Sequence, residues 1–302
     1  MGAIWAGVKE NRRVGEGVYR LTLAAPAIAQ QARPGQFVML KVTHGSDPLL
    51  ARPFSIHGAA GDELLILYKV VGRGTRVLSQ VRSGKTLQLW GPLGRGYNLD
   101  VERPMLVAGG MGRASLDFAA KELSRRRDYI PYLHAENDSD KVRKIIEGVE
   151  IYFDPIKIVT NIDDIPDGLL EMDLESSGPI TSDQEIAKRL NVNPHTTICF
   201  PTSITGGYGG KGFASDYLNS VITKAPVLAK SIMTCGPMPM LKAVAKVCAQ
   251  HGLACQVSLE APMACGLGAC LGCAIPAAAG GYLRACQEGP VLDAQAVDWE
   301  RI

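Results

Sequence analysis

Four cysteines near the C-terminus have a spacing that suits iron–sulfur chemistry. Cys265, Cys270 and Cys273 form a C-x4-C-x2-C run, and Cys286 follows after twelve intervening residues. This is the plant-type ligand spacing of a 2Fe–2S cluster. Glycines at 266, 268 and 272 punctuate the run, and glycine lets a chain wrap around a cluster without steric clash. The four thiols are therefore predicted to hold a 2Fe–2S cluster.

The two alternatives for these cysteines are a zinc site and disulfide bonds. Zinc sites usually pair two C-x2-C knuckles, and only one such pair is present here. Disulfides suit exported proteins, and the first residues lack the charged and apolar regions of a secretory signal. The other four cysteines lie in apolar stretches, and three of them are expected to be buried hydrophobes, namely Cys199, Cys248 and Cys255.

Length and composition exclude several classes of protein. The chain has 302 residues, which is enough for about two domains with full hydrophobic cores. A hydrophobic content of 46% and a net charge of +2 argue against disorder and against a nucleic-acid partner. No apolar run approaches the roughly 18 residues that a transmembrane helix needs. We therefore expect a soluble cytoplasmic protein that binds neither nucleic acid nor membrane.

The first 100 residues have the pattern of a small antiparallel barrel. Short apolar stretches over 18–23, 36–42, 63–70 and 86–90 alternate with polar residues and are separated by Pro/Gly turns. Several short strands with little helical periodicity are typical of such a barrel.

A parallel α/β pattern follows from Arg103 onward. The apolar stretches 104–108 and 231–235 each run into a glycine turn and then into a segment with helical periodicity. The helical residues are Leu116, Ala119, Ala120 and Leu123 in the first segment and Leu241, Val244, Ala245 and Cys248 in the second. Strand–turn–helix units of this kind build parallel sheets.

Residues 136–200 differ in composition from both flanks. They contain 14 acidic and 6 basic residues and a single alanine, Ala187. The tract therefore carries a net charge of −8, which leaves +10 for the rest of the chain. An insertion-like, solvated acidic segment is the default interpretation.

Two segments of the barrel region could bind a phosphorylated cofactor. Arg52-Pro-Phe-Ser55 opens a strand, and its guanidinium group suits a pyrophosphate. Gly72-Arg-Gly-Thr75 precedes a helix predicted from Arg76, where backbone N–H groups could meet an anion. Taken singly, each segment is equally consistent with a tight turn.

Together, and in this order, these motifs resemble the ferredoxin–NADP reductase family. The resemblance implies a six-stranded antiparallel barrel that binds FAD, followed by a parallel-sheet domain that binds NAD. The residues implied for FAD are Arg52, Pro53, Phe54, Ser55, Tyr68, Lys69, Gly72, Gly74 and Thr75. Those implied for NAD are Gly109, Gly110, Gly112, Gly236 and Pro237, with Cys235 and Glu260 as catalytic residues near the flavin and nicotinamide rings.

The short cysteine tail resembles the PyrK-like branch, the electron-transfer subunits of class 1B dihydroorotate dehydrogenase. This implies a barrel over 1–100, an NAD domain over 101–260 and a small 2Fe–2S module over 261–302. It also implies an FMN-containing catalytic partner that oxidises dihydroorotate in pyrimidine biosynthesis, in a heterotetramer. Electrons would then pass through the cluster and FAD to NAD.

Two departures from the family pattern keep other functions open. The nucleotide turn continues Arg113-Ala-Ser115, where the family has a proline. The acidic tract also falls where the second half of the NAD domain should be.

The acidic residues of His134-Ala-Glu-Asn-Asp138 favour NAD over NADP. The alternatives are a small subunit of an NADPH-dependent ferredoxin or sulfide oxidoreductase, and a non-enzymatic redox-sensing protein.

Overall fold

The computed structural model describes residues 2–127, 129–136, 156–158, 188, 196–203, 210–211 and 213–302. Most of the acidic tract 136–200 thus lies outside the described residues. The chain divides into two compact units. The first contains residues 1–97, 114–118 and 257–302, and the second contains residues 98–113 and 119–256. The first unit therefore combines the barrel region with the cysteine-rich segment, and the three-domain division stays a prediction.

The first unit is built on a closed barrel of six antiparallel strands, in the order β1-β2-β5-β4-β3-β6. These strands are β1 (Ile4–Gly15), β2 (Val18–Ala24), β3 (Phe37–Lys41), β4 (Arg52–Ala60), β5 (Glu63–Lys69) and β6 (Thr86–Leu93). The predicted barrel is confirmed. The sequence did not predict β1, which pairs with β2 and β6 and so closes the barrel.

Alternation along the strands decides which side chains fill the barrel. One apolar pair from each strand points inward, so the core contains Ala6 and Val8, Leu21 and Leu23, Val38 and Leu40, Phe54 and Ile56, Leu64 and Ile66, and Leu87 and Leu89. Strand β3 departs from the expected alternation because all four residues from Phe37 to Leu40 are buried. Phe37 and Met39 must therefore be covered on the outer face of the barrel.

Two short helices, α1 (Pro26–Ala29) and α2 (Arg73–Ser79), accompany the barrel. Helix α2 begins three residues before the predicted start, so Gly74 and Thr75 lie within its first turn. Asn11 of β1 fixes the end of this helix, because its amide donates to the carbonyls of Leu78 (2.8 Å) and Val81 (3.0 Å). The Asn11 Oδ1 atom also accepts a hydrogen bond from the buried Tyr68 hydroxyl at 3.0 Å.

The cysteine-rich segment of the first unit contains three short strands. They are β14 (Ala274–Pro276), β15 (Tyr282–Arg284) and β16 (Val291–Asp293), and β14 pairs antiparallel with β15. The segment is tied to the barrel by backbone bonds, including Arg95 N–H to the Gly289 carbonyl at 2.5 Å.

The second unit contains a parallel sheet, as predicted. Its strands are β7 (Pro104–Gly109), β8 (Tyr129–Glu136), β9 (Ile156–Ile158), β10 (Thr196–Ser203), β11 (Gly210–Lys211), β12 (Ser231–Cys235) and β13 (Ala254–Ser258). The order runs β11-β10-β8-β7-β12-β13, and β9 also pairs with β10. The pairs β7–β8, β8–β10 and β7–β12 are all parallel.

Three amphipathic helices follow strands of this sheet. Helix α3 (Arg113–Ser124) follows β7, α4 (Ala214–Lys224) follows β11, and α5 (Met238–Gln250) follows β12. Their apolar residues recur at helical spacing, and the predicted positions on α3 and α5 are buried. Cys248 and Cys255 are buried as expected, and the side chain of Cys199 lies outside the described residues. Within the described ranges, no helix has the length and apolar character needed to cross a bilayer.

Replacing Asn11 with alanine should destabilise the barrel more than removing the hydroxyl group that it binds. Asn11→Ala removes three hydrogen bonds and leaves the buried Tyr68 hydroxyl without this acceptor, so a loss of about 2–3 kcal/mol is expected. Tyr68→Phe removes one bond and should cost about 1 kcal/mol. Urea unfolding followed by barrel tryptophan fluorescence measures both, and equal losses would contradict this account.

Candidate functional site

The four predicted cluster ligands are gathered in the first unit. We call residues 265–273 the cysteine loop. Cys270 is exposed at its tip, Cys265 is half-buried, and Cys273 and Cys286 are buried. The Sγ atoms of Cys273 and Cys286 lie 3.2 Å apart, and the thiol of Cys265 interacts with that of Cys270. The thiols thus fall into two pairs.

Backbone N–H groups of the cysteine loop are directed at the sulfur atoms. Leu267 N–H donates to Cys265 Sγ at 3.3 Å, and Gly268 N–H donates to Cys286 Sγ at 3.2 Å. The donors from Leu267 and then Cys270 lower the pKa of the Cys265 thiol to about 6. Burial, followed by the neighbouring Cys273 thiol, raises the pKa of Cys286 to about 11. The loop is thus partly organised for anionic sulfur.

This donor set fits a 2Fe–2S cluster better than a single metal ion. A 2Fe–2S cluster has two irons, so its four cysteines divide into two pairs, and N–H groups bound to its sulfurs help to set its potential. The seven cysteines with described side chains form no disulfide.

Residues after the cysteine loop support it from one side. Arg284 forms an ion pair with Glu288 at 2.5 Å and donates to the Gly268 carbonyl at 3.3 Å. The same Arg284 side chain lowers the pKa of Glu288 to about 2. Gln287 donates to the Leu267 carbonyl at 3.1 Å. These two side chains hold the backbone that presents the sulfur-directed N–H groups.

The outer face of the barrel supports the cysteine loop from the other side. Gly266 has a φ of +68°, and a Cβ atom there would lie 2.5 Å from Met39 Cγ and 3.2 Å from Leu93 Cδ1. Only glycine satisfies both the conformation and this approach. The indole N–H of Trp90 donates to the Cys265 carbonyl at 3.4 Å. The loop therefore rests on β3 and β6.

The structure brings together the two segments predicted to bind the FAD phosphates. The Arg52 guanidinium group of β4 lies against Gly74 of α2, where any Cβ atom would overlap Arg52 Nε. Arg52 also donates to the Leu50 carbonyl, so its orientation is fixed. A fixed guanidinium group at a helix start suits a pyrophosphate, and the local geometry fits the predicted cofactor.

The other residues predicted to bind FAD fall into two groups. Phe54 and Tyr68 belong to the barrel core, where their rings meet edge to face at 5.8 Å, and burial raises the pKa of Tyr68. The Thr75 hydroxyl accepts hydrogen bonds from the Val71 and Gly72 N–H groups, so it shapes the turn. Partly or fully exposed residues remain available for cofactor contact, namely Pro53, Ser55, Lys69 and Gly72.

The second unit brings together the glycines predicted to bind NAD. Strands β7 and β12 end side by side, with Ala108 paired to Cys235. A Cβ atom at Gly112 would overlap the Cys235 carbonyl oxygen, and one at Gly236 would lie 3.0 Å from Gly109 Cα. The two turns are thus in direct contact at the carboxyl edge of the sheet, where α/β folds bind their ligands.

The nucleotide turn forms without the proline of the family pattern. Gly110 adopts a φ of +52°, residues 110–112 form one 3-10 turn, and α3 begins at Arg113. Arg113 is buried, so a charged side chain is accommodated at the position that follows the turn. Pro237 is the N-cap residue that immediately precedes α5, and Pro239 lies in the first turn of this helix, where proline is tolerated.

The two predicted catalytic residues belong to different units. Cys235 is buried at the end of β12 in the second unit. Glu260 follows β13 in the first unit, and its side chain reaches the surface. Protein atoms around its carboxyl group nevertheless displace water and raise its pKa. Their catalytic roles stay predictions.

Sequence reasoning missed the residues that support the cysteine loop. Met39 and Trp90 were assigned only to strands, and Arg284 and Gln287 were given no role. One signal in the sequence could have indicated this support. A barrel strand whose outer face meets water alternates apolar and polar residues, whereas Phe37-Val-Met-Leu40 is an unbroken apolar run.

Comparison with known families identifies the C-terminal segment. The model for the iron–sulfur cluster binding domain of dihydroorotate dehydrogenase B matches residues 260–298. The electron transfer subunit of dihydroorotate dehydrogenase B (NAD(+)) from Clostridium acetobutylicum is 30% identical to this chain, and the alignment covers 94% of this chain and 93% of the relative's length. The corresponding subunit from Desulforamulus reducens is 32% identical over 95% of each chain.

Solved structures with the same fold cover most of the chain. An NADH-dependent reduced ferredoxin–NADP oxidoreductase superposes with a TM-score of 0.72 at 22% sequence identity. The superposition covers 98% of this chain and 90% of the oxidoreductase chain. A ferredoxin–NADP reductase from Neisseria gonorrhoeae, with bound FAD and NADP, gives a TM-score of 0.57 at 14% identity, over 83% and 92%. These likenesses establish the reductase-like fold.

A methyl group at position 112 should disable the nucleotide turn selectively. Because a Cβ atom would overlap the Cys235 carbonyl oxygen, Gly112→Ala should separate the two turns and weaken NADH binding at least tenfold, which corresponds to about 1.4 kcal/mol. Titration with NADH, followed by flavin absorbance, measures the loss. Gly7→Ala is the matched control, since nothing lies within 4 Å of that site; unchanged NADH binding in Gly112→Ala would refute the proposed turn contact.

Replacing Glu260 with glutamine should change how stability depends on pH. A carboxyl group whose pKa rises on folding binds its proton more tightly in the folded protein. The stability that the protonated carboxyl group contributes is therefore lost as the pH rises from its pKa in the unfolded chain, about 4.3, through its higher pKa in the folded protein. Glu260→Gln should match the wild type in melting temperature near pH 4 and exceed it at pH 7. A variant that is less stable than the wild type at pH 7 would contradict the assigned desolvation.

Proposed function

The chain belongs to the family of electron transfer subunits of dihydroorotate dehydrogenase B, and we propose that it passes electrons between a partner flavoenzyme and NAD. The observation that carries this proposal is the support of the cysteine loop by the outer face of the barrel, through Met39, Leu93 and Trp90. A cluster ligand set and a predicted flavin-binding strand thus share one barrel within one compact unit.

In this proposal, separate sets of residues bind the three cofactors. When bound, a 2Fe–2S cluster exchanges single electrons, FAD exchanges one or two, and NAD exchanges a hydride, so the flavin connects the two kinds of transfer. Cys265, Cys270, Cys273 and Cys286 hold the cluster in this proposal. Arg52 would bind the FAD pyrophosphate, and the hydroxyl group of the partly exposed Ser55 would be available to the polar edge of the flavin ring.

The second unit supplies the nicotinamide nucleotide site. The Gly109–Gly112 turn and the Cys235–Pro237 turn meet at the carboxyl edge of β7 and β12, the edge at which α/β folds bind dinucleotides. Glu136 is the last residue of β8, the strand next to β7. The sequence around the end of this strand, His134-Ala-Glu-Asn-Asp138, is acidic, and acidic residues after the second strand of such a domain favour a ribose hydroxyl over a 2′-phosphate, which supports NAD over NADP.

Oxidation of dihydroorotate belongs to a separate FMN-containing subunit in this proposal, in a heterotetramer with the present chain. The relatives are named as electron transfer subunits, a description that implies a catalytic partner. The tip of the cysteine loop suits the contact, because Leu267 and Leu271 are exposed on either side of the exposed Cys270. Iron-binding thiols must stay reduced, so we place the protein in the cytoplasm.

Visible absorption of the anaerobically purified protein, before and after addition of NADH, tests the proposed function. Flavin and iron–sulfur bands that bleach with NADH are the expected result. Bands that respond far more strongly to NADPH would favour an NADPH-dependent ferredoxin or sulfide oxidoreductase subunit. Intact bands that ignore both nucleotides would contradict the proposal and favour a redox-sensing protein.

Replacing Cys270 with serine should separate the cluster from the flavin. Cys270 is exposed at the tip of the loop, and the residues predicted to bind FAD lie in another part of the chain, between positions 52 and 75, so Cys270→Ser should lose the cluster and retain FAD. Iron analysis and flavin fluorescence after denaturation measure the two contents. Cys248→Ser, in a helix of the second unit, should retain both, and loss of FAD together with iron in Cys270→Ser would contradict separate sites.

A further inference from the structure

Met39 and Trp90 connect the cysteine loop to the strand that is predicted to carry the flavin. We infer that these two side chains are positioning residues, which fix the cluster ligands at a defined place relative to that strand and tune the cluster potential. The inference rests on the proposed function and adds to it two residues that the cofactor motifs do not include.

Strand register places the relevant side chains in two rows. Met39 of β3 pairs with Pro53 of β4 on one side and with Trp90 of β6 on the other. In the same way, Phe37 pairs with Ser55 and with Leu93. Directly paired residues of antiparallel strands share a face. Because the core side chains of these strands alternate with them, both rows lie on the outer face.

The distance spanned by each row of side chains, from β4 to β6, is short enough to bring two redox centres close together. Neighbouring strands lie about 4.8 Å apart, so the step from β4 across β3 to β6 is about 10 Å. At one end are Pro53 and Ser55, which are exposed enough to meet a flavin. At the other end is the cysteine loop. A single strand, β3, therefore separates the two sites.

Burial shows that Met39 supports the loop directly. Its side chain points out of the barrel and yet is fully buried, and a Cβ atom at Gly266 would lie 3.1 Å from its Sδ atom. The unbranched thioether adapts to an irregular surface and is polarisable. It therefore fills the space between β3 and the backbone next to the ligand Cys265.

Trp90 adds a polar contact to a cluster ligand. Its indole N–H donates to the Cys265 carbonyl at 3.4 Å, while its ring lies on the outer face of β6. The positive end of the N–H dipole is directed at the ligand residue. Hydrogen bonds to the sulfurs raise the potential of an iron–sulfur centre, because they stabilise the more negative, reduced state. The Trp90 N–H group, although bound to the carbonyl oxygen of Cys265, brings a positive dipole end close to that ligand and should act in the same direction.

The test compares Trp90→Phe with a matched control in the cluster-loaded, FAD-containing protein. Trp90→Phe keeps an aromatic ring but removes the N–H group. Trp5→Phe makes the same change on the neighbouring strand β1, where Trp5 is 57% exposed and stacks on His44 at 4.9 Å. The readouts are iron and FAD content, the electron paramagnetic resonance spectrum of the reduced cluster, and its midpoint potential.

Trp90→Phe should lower the midpoint potential of the cluster, whereas Trp5→Phe should leave it unchanged. The expected shift in the one-electron equilibrium is several-fold and at most about tenfold, which corresponds to about 59 mV. Loss of iron with full retention of FAD in Trp90→Phe, but not in Trp5→Phe, would also support the inference. An unchanged potential and spectrum in Trp90→Phe would overturn the role of Trp90.

A second variant covers the possibility that Trp90→Phe fails to fold. Met39→Leu keeps the volume but loses the unbranched thioether, and Met233→Leu, at a buried methionine of the second unit, is its control. Hydrogen–deuterium exchange of residues 265–273 should accelerate in Met39→Leu only. Exchange equal to that of the wild type would overturn the role of Met39. Absence of iron from the wild-type protein would instead refute the proposed function, so the two failures are distinguishable.

Discussion

Phe37 and Met39 point away from the barrel core, yet almost none of their surface reaches water, because residues of the first unit cover them from outside. Burial of each such side chain stabilises the fold by about 1.5–3 kcal/mol. The cysteine loop is among the covering segments, since Gly266 lies directly on Met39 and Leu93. A loop with few backbone bonds of its own thereby gains a defined place, and the cluster ligands depend on the barrel for their geometry.

The two compact units separate the two kinds of electron transfer that the proposed function combines. The first unit holds the thiols and the Arg52–Gly74 contact, so the proposed function assigns single-electron exchange and the flavin phosphates to one barrel. The second unit holds the paired glycine turns at the ends of β7 and β12, to which the proposed function assigns the nucleotide. The Gly109–Gly112 turn forms without the proline that follows it in the family pattern, because glycine at position 112 allows the close approach to Cys235 that this turn requires.

Much of this arrangement could be predicted from sequence because it follows local rules. Alternation predicted β2, β5 and β6, helical spacing predicted α3 and α5, and cysteine spacing predicted the ligand set. The resemblance to a known family supplied the flavin and nucleotide motifs. Strand β1 was missed because its polar residues obscure the alternation, and α2 was predicted to begin too late because glycine in its first turn resembles a loop. Support of the cysteine loop by Trp90 links residues 175 positions apart, and no local pattern reports a contact between such distant residues.

In the proposed function, the cluster and the flavin are both fixed to one barrel, on either side of β3. A crystal structure of the protein with its cofactors, with the irons located by anomalous diffraction, tests this most directly. We expect iron sites bound by Cys265, Cys270, Cys273 and Cys286, with Gly266 against Met39 and the flavin ring beside Pro53 and Ser55. Iron sites bound in a cysteine loop detached from β3 and β6, or a flavin on another face of the barrel, would contradict it.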